Sequence, residues 1–263
     1  MSREDGAKRD PRKDERGAER PASREDDRRE SSETRAGGAT RQSREADTPK
    51  HLLDAHPETA YFWGRVIGDG EVTAGGVTVR TNDEDAAERL AAIAGADGVD
   101  RDTVEREYAH DTSITRSEAQ YTVQIHGPVG DKAAAALGLP FEGDPGGYRL
   151  DTLAKHDRQL LRGLLEGCGT VCFKSSAGTV GISFVHDDRT VLERIGGLLD
   201  AADVDAPYGD ISETSSGGYW FGLDDGAAPA FGEWLYGESD RTGLFAPSRR
   251  RKLRRSIKEA EGY

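Results

Sequence analysis

The chain has 263 residues, 35% of them hydrophobic, and its 49 Asp+Glu against 36 Lys+Arg give a formal charge of −13. That length holds one or two domains. No apolar run approaches the ~20 residues of a membrane span, no signal-peptide core opens the chain, and 2 Cys cannot build a disulfide framework. With 28 Arg against 8 Lys and 27 Asp against 22 Glu in an Ala/Gly-rich background, the composition suits a cytoplasm at high salt, where screening makes a negative surface inexpensive. The expectation is a halophilic, cytoplasmic protein with no membrane partner.

Residues 1–50 carry 14 basic and 13 acidic residues, and their only apolar residues are Met1 and alanines. Such a segment has nothing to bury against its conformational entropy, so a disordered charged tail is expected. Beyond it, two stretches read alike: residues 51–139 and residues 153–248, joined by a Gly/Pro-rich linker over 140–152. Phe62–Val72 lies over Leu161–Val171 at a constant offset of 99, with three glycines and the final valine coincident. Glu88-Arg89-Leu90 lies over Glu193-Arg194-Ile195, and Tyr121-Thr122-Val123 over Tyr219-Trp220-Phe221. Two copies of this size point to an internal duplication rather than a solenoid.

In chain order the first copy predicts a helix over Glu58–Gly68 and a hairpin over Glu71–Thr81 turning at Gly75-Gly76. A helix over Asp83–Gly95 follows, then a second hairpin over Arg106–His126 turning near Thr115–Glu118, and a helix over Val129–Leu137. The second copy predicts helices over His156–Gly167, Arg189–Ala201 and Pro229–Tyr236, with hairpins over Thr170–His186 and Asp210–Leu223. Trp63, Trp220 and Trp234 fall on faces expected to pack into the core. Cys168, Cys172, His156 and His186 lack the ligand pattern of a zinc site.

The first helix of each copy carries Gly-x-x-x-Gly, Gly64/Gly68 and Gly163/Gly167. Glycine inside a helix costs about 1 kcal/mol against alanine, so these pairs need a reason. Close packing of the two helices about a pseudo-twofold axis supplies one. Asp69 stands at the helix C-terminus, the unfavourable end for an anion. A divalent cation there would compensate it, and a plain Asp-Gly turn into the hairpin would equally explain the residue.

These features resemble the LAGLIDADG homing-endonuclease family: the glycine-spaced motif in Phe62–Gly70 and Leu161–Gly169, the αββαββα order, and its repetition over about residues 57–256. The resemblance implies an α+β fold of two similar halves, a monomer whose motif helices form the interface and whose two saddle-like antiparallel sheets straddle double-stranded DNA. It implies that Asp69 is a catalytic residue binding Mg2+ for phosphodiester cleavage. The second copy departs, with Cys168 at the matching position. Glu166 is a weak substitute, since it lies about 200° around the helix at ~100° per residue. A nicking activity or none is then expected, and the alternative is an inactive regulator or adaptor binding nucleic acid or protein.

Basic side chains on the hairpins are few, Arg80, Arg106, Arg116 and Lys174, and of these Arg80, Arg116 and Lys174 are the candidate phosphate contacts. The main cluster lies in a basic C-terminal segment over 249–263: Arg249, Arg250, Arg251, Lys252, Arg254 and Arg255. Residues 51–248, by contrast, hold 15 basic and 34 acidic residues. The cluster reads equally as a phosphate contact or as a solvated helix face.

Overall fold

Helix α1 spans Pro57–Asp69. Proline at its start is pre-set for helical φ, and the Thr59 hydroxyl accepts a hydrogen bond from the His56 amide at 3.1 Å. Around it the structure, a computed structural model, describes residues 51–108 and 111–263, without the side chains of 106–116. The expected disorder of residues 1–50 lies outside the described residues.

After α1 come β1 (Glu71–Thr73), β2 (Gly76–Thr81), α2 (Glu84–Ala94), β3 (Val99–Tyr108), β4 (Asp111–His126) and α3 (Val129–Leu137). Gly95 and Gly138 end α2 and α3 with φ of +66° and +63°, a left-handed conformation that glycine adopts at little cost. The second half repeats the order. It has α4 (Asp157–Cys168), β5 (Gly169–Lys174), β6 (Thr179–His186), α5 (Arg189–Asp200), β7 (Ser212–Glu213), β8 (Tyr219–Gly222) and α6 (Ala228–Tyr236). A short α7 (Ser239–Thr242) and a terminal α8 (Pro247–Glu261) follow. The two antiparallel sheets have matching orders, β1-β2-β4-β3 and β5-β6-β8-β7. The α+β architecture of two αββαββα halves expected from the sequence is what the chain forms.

Each sheet lays one face on helices. In the first, Val77, Val79, Tyr121 and Val123 are buried against Leu90 and Ile93 of α2 and the aromatic run of α1. In the second, Val171, Val180, Ile182, Phe184 and Phe221 meet Leu192, Ile195 and Phe231. Phe184 and Phe221 stack with centroids 5.5 Å apart. Each such fully buried side chain contributes roughly 1.5–3 kcal/mol.

The halves join where α1 lies against α4. Both helices give apolar or small positions to this seam and to their own sheets; Tyr61, Phe62, Leu160, Leu161, Leu164 and Leu165 are fully buried. Main chain meets main chain there. A Cβ added at Gly64 would lie 2.5 Å from the Leu160 carbonyl oxygen, and one at Gly68 2.9 Å from the Gly167 Cα. A Cβ at Gly163 would run into the Tyr61 carbonyl oxygen. Backbone atoms cannot yield as a side-chain tip can, so these positions exclude even a methyl group.

Side chains add further ties. Arg162, fully buried on α4, donates from Nε to the Leu235 carbonyl and from Nη1 to the Leu244 carbonyl, both at 2.8 Å. It thereby satisfies acceptors at and beyond the end of α6. His186 accepts the Asp188 amide at Nδ1, so Nε2 carries the hydrogen and donates to the Ile67 carbonyl at 3.1 Å, linking β6 to α1.

Two sequence expectations are corrected. The second hairpin begins at Val99 rather than Arg106, and Thr115–Glu118 is strand, not turn: Glu107 pairs with Thr115, Glu105 with Ser117 and Val104 with Glu118. The β-branched residues of Thr112–Thr115 extend the strand past a polar cluster that imitates a turn. Trp220 is not a core residue. It is 43% exposed, paired across the sheet with the equally exposed Val185, whereas Trp63 is fully buried.

Candidate nucleic-acid interface

The C-termini of α1 and α4 end side by side, because the glycine contacts hold both helices in the same register. Asp69 closes α1 and Cys168 closes α4. A Cβ on Gly167 would come 3.1 Å from Asp69 Oδ1, which places the carboxylate over the α4 backbone. Around it opens a cleft of ≈ 330 Å³ lined by Arg65, Asp69, Arg80, Gln120, Ser248 and Arg249, among others.

Asp69 is already engaged. Arg65 Nη2, one helical turn back, donates to Asp69 Oδ2 at 2.9 Å and lies 3.2 Å from Oδ1; it also donates to the Arg80 carbonyl at 3.0 Å. Arg65 is 2% exposed, while Asp69 keeps 33% of its side chain open to the cleft. Burial raises the Asp69 carboxyl above its ordinary range, with Arg65 pulling against that. Burial works against the Arg65 cation too, but the Asp69 carboxylate, with Glu166 behind it, outweighs that and holds the guanidinium charged.

Glu166 also borders this cleft, but its carboxylate is bound to other partners. It is 4% exposed and accepts from Tyr61 Oη at 2.6 Å, from Tyr236 Oη at 3.0 Å and from the Ala246 amide at 2.9 Å. Burial raises its pKa, opposed by Arg65 and by the Tyr61 hydrogen bond. The Cys168 thiol donates to the Leu164 carbonyl at 3.4 Å. Burial, then the neighbouring Asp69 charge, pushes it up to about 12, so it stays a neutral thiol.

These residues do not fit a hard divalent ion. Mg2+ takes oxygen ligands in near-ideal octahedral geometry. Of the three groups at the helix ends, one carboxylate is ion-paired, one is held by three donors and one is an uncharged sulfur. Among the described residues no group of three His, Cys, Asp or Glu could hold a metal.

The residues expected to meet phosphates are dispersed. Arg80 stands on the open face of β2, 3.9 Å from Glu71. Lys174, at the end of β5, pairs with Asp225 at 2.5 Å. The Arg116 side chain lies outside the described residues. Arg249 reaches the cleft. Arg250 is 7% exposed and clasps Asp240, anchoring α8 rather than facing solvent. Arg251, Lys252, Arg254 and Arg255 are on the exposed side of α8, with Arg255 paired to Glu259 at 2.8 Å and Arg254 3.9 Å from Asp240. Leu253 and Ser256 hold the opposite side of the helix in the second half.

The open face of the first sheet is read from its register. Opposite the buried row Val79–Val123–Val99 stand Glu71, Thr78 and Gln124, then Arg80, Thr122 and Asp100, then Gln120 and Asp102, then Glu118 and Val104. At these positions four acids accompany one arginine, and the next alternate pair in the register is Arg106 with Arg116. On the second sheet the same face holds Thr170, Ser183 and Gly222 beside the Val185–Trp220 pair.

Two sheets of this order, joined along paired glycine-spaced helices, define a protein of LAGLIDADG architecture. The chain belongs to the LAGLIDADG-type family described as "putative archaeal homing endonuclease", whose profile matches residues 39–263. Among solved structures it is similar to the homing endonuclease I-WcaI bound to its DNA recognition sequence, at 10% identity, 76% of this chain, 87% of that one and a TM-score of 0.50. Full-length DUF199/WhiA from Thermatoga maritima matches at 11% identity over 77% of this chain with a TM-score of 0.44, and this chain covers 60% of that one. I-DmoI in complex with DNA and Mn matches at 12% identity, over 64% of this chain and 89% of that one, with a TM-score of 0.37. At such identities the likeness concerns the fold. A comparison with curated protein sequences returns no match.

Proposed function

We propose that the chain is a DNA-binding protein that holds double-stranded DNA across the open faces of its sheets and does not cleave it by metal catalysis. The observation that carries this is the Arg65–Asp69 pair facing a neutral Cys168. Metal-assisted phosphodiester cleavage needs oxygens placed to hold ions that activate water and stabilise the leaving oxygen. Here they are spent on an internal cation. Membership in an endonuclease family and the two-sheet architecture support the DNA half of the reading; Arg80, Lys174 and Arg249 are its candidate phosphate contacts. The two halves act as one monomer, and the Asp-rich surface suits a salt-laden cytoplasm.

The test is purified protein in high KCl with Mg2+ or Mn2+, assayed for nicking of supercoiled plasmid beside Asp69→Ala, and for duplex binding by fluorescence anisotropy. The expected result is binding without divalent-dependent nicking in either protein. Nicking by the native chain that Asp69→Ala removes would overturn the non-cleaving reading. The acids on the first sheet favour a second reading, an adaptor for a basic protein partner. Absence of duplex binding at every salt concentration would select it.

A further inference from the structure

We infer that the Arg65 guanidinium occupies the place of a divalent cation at the end of the motif helices, so that the chain supplies its own non-exchangeable counter-ion there. This rests on the reading above for its setting, but it concerns cation binding and is tested without DNA.

The oxygens around Arg65 Nη2 carry the argument. Asp69 Oδ2 at 2.9 Å, Asp69 Oδ1 at 3.2 Å and the Arg80 carbonyl at 3.0 Å surround one nitrogen. Two carboxylate oxygens and a main-chain carbonyl are the ligand types a hard cation collects. They stand here at N–H···O distances, where a guanidinium is held by hydrogen bonds. The guanidinium is turned to favour this cage: its Nη2 end makes three contacts while Nε, buried on the same side chain, has no partner among the described residues.

Its position supports the same conclusion. Arg65 is one turn before Asp69 on α1, and its buried side chain lines the cleft at which both helices end. Two helix C-termini converge there, each with partial negative charge that a cation offsets. Arginine never leaves and stays charged at any physiological pH, so the site neither loads nor empties. It also joins α1 to β2 through the Arg80 carbonyl, which a hydrated ion would do less rigidly.

The experiment is Mn2+ binding by electron paramagnetic resonance, with thermal unfolding at rising Mn2+ in parallel, on the full chain at low and high KCl. The native chain is expected to show no saturable site that Asp69→Asn removes, and an unfolding midpoint unmoved by Mn2+. Arg65→Leu combined with Cys168→Asp opens the cage and adds a carboxylate. It is expected to gain a saturable Mn2+ site, lost again on adding Asp69→Asn, and a midpoint that climbs with Mn2+ as binding to the folded state requires. If the double variant is unfolded without metal, recovery of folding on adding Mn2+ is the same result. Saturable Mn2+ binding by the native chain at Asp69, or a double variant that neither binds Mn2+ nor is stabilised by it, overturns the inference. Duplex binding by anisotropy is unaffected by either outcome, which separates this failure from failure of the DNA-binding reading.

Discussion

Tyr61 on α1 donates its hydroxyl hydrogen to Glu166 on α4 at 2.6 Å, across the seam between the halves. Tyr236 and the Ala246 amide complete the set, so one carboxylate gathers four segments: α1, α4, α6 and the strap leading to α8. Glu166→Ala leaves three buried donors without an acceptor and is expected to cost about 3 kcal/mol in denaturant unfolding. Glu166→Gln keeps an acceptor oxygen and should cost less. Burial raises the folded pKa of Glu166, so the folded state binds its proton more tightly than the unfolded one. The native chain should therefore gain stability relative to Glu166→Gln as pH falls from the raised folded value toward the unfolded value of about 4.3. A difference that moves the other way would contradict the burial of a charged Glu166.

Gly163→Ala forces a methyl group against the Tyr61 carbonyl and the Arg65 amide, both backbone. A loss of at least about 2 kcal/mol is expected, near the upper part of the overpacking range, despite alanine's better helix propensity. Gly98→Ala, where nothing lies within 4 Å, is the control and should stay within about 0.5 kcal/mol. Equal unfolding midpoints for the two would mean that α1 and α4 are not in backbone contact.

Arg162→Met conserves much of the buried stem and removes the donors to Leu235 and Leu244. Two carbonyls, one at the end of α6 and one just beyond α7, then lose these donors, at about 1–3 kcal/mol each. Arg162→Lys should rescue little, because a point ammonium cannot span both acceptors as the planar fork does. Chemical denaturation of the three proteins compares them directly.

Salt dependence separates the two sheets' contributions to duplex affinity. Arg80→Ser or Lys174→Ser should each lower the slope of log affinity against log salt by about 1. Trp220→Ser removes an exposed ring and no charge; it should weaken binding at all salt concentrations with the slope unchanged and leave stability within about 0.5 kcal/mol. A slope that ignores Arg80 and Lys174 would move the DNA away from these strands.

Much of the fold was readable because its signals are local. The Gly75-Gly76 turn, the paired glycines Gly64/Gly68 and Gly163/Gly167 and the offset of Phe62–Val72 from Leu161–Val171 each leave a mark in the chain. The second hairpin of the first half was misplaced because Ser117 and Glu118 look like a turn, while their partners Glu105 and Val104 are remote in sequence until the strands pair. At the cleft, Asp69 and Cys168 stood out through the motif. Arg65 did not, although its i,i+4 spacing to Asp69 and its charge inside the apolar run Tyr61–Ile67 were available signals. The partners of Glu166 could not be found from spacing, because Tyr236 and Ala246 come to it only through the packing of α6.

The seam between α1 and α4 depends on atoms that every residue possesses. Gly64, Gly68, Gly163 and Gly167 set the helix separation by having no side chains, and the surface that fits them is carbonyl oxygen and Cα. The chemistry at the helix ends depends on three side chains, of Arg65, Asp69 and Cys168. Geometry and reactivity are thus written in different parts of the polypeptide. The separation of α1 and α4 is set by backbone contacts at the glycines and does not depend on those three side chains. The groups at the helix ends are thus free to vary in chemistry while the spacing of the helices that carry them stays fixed.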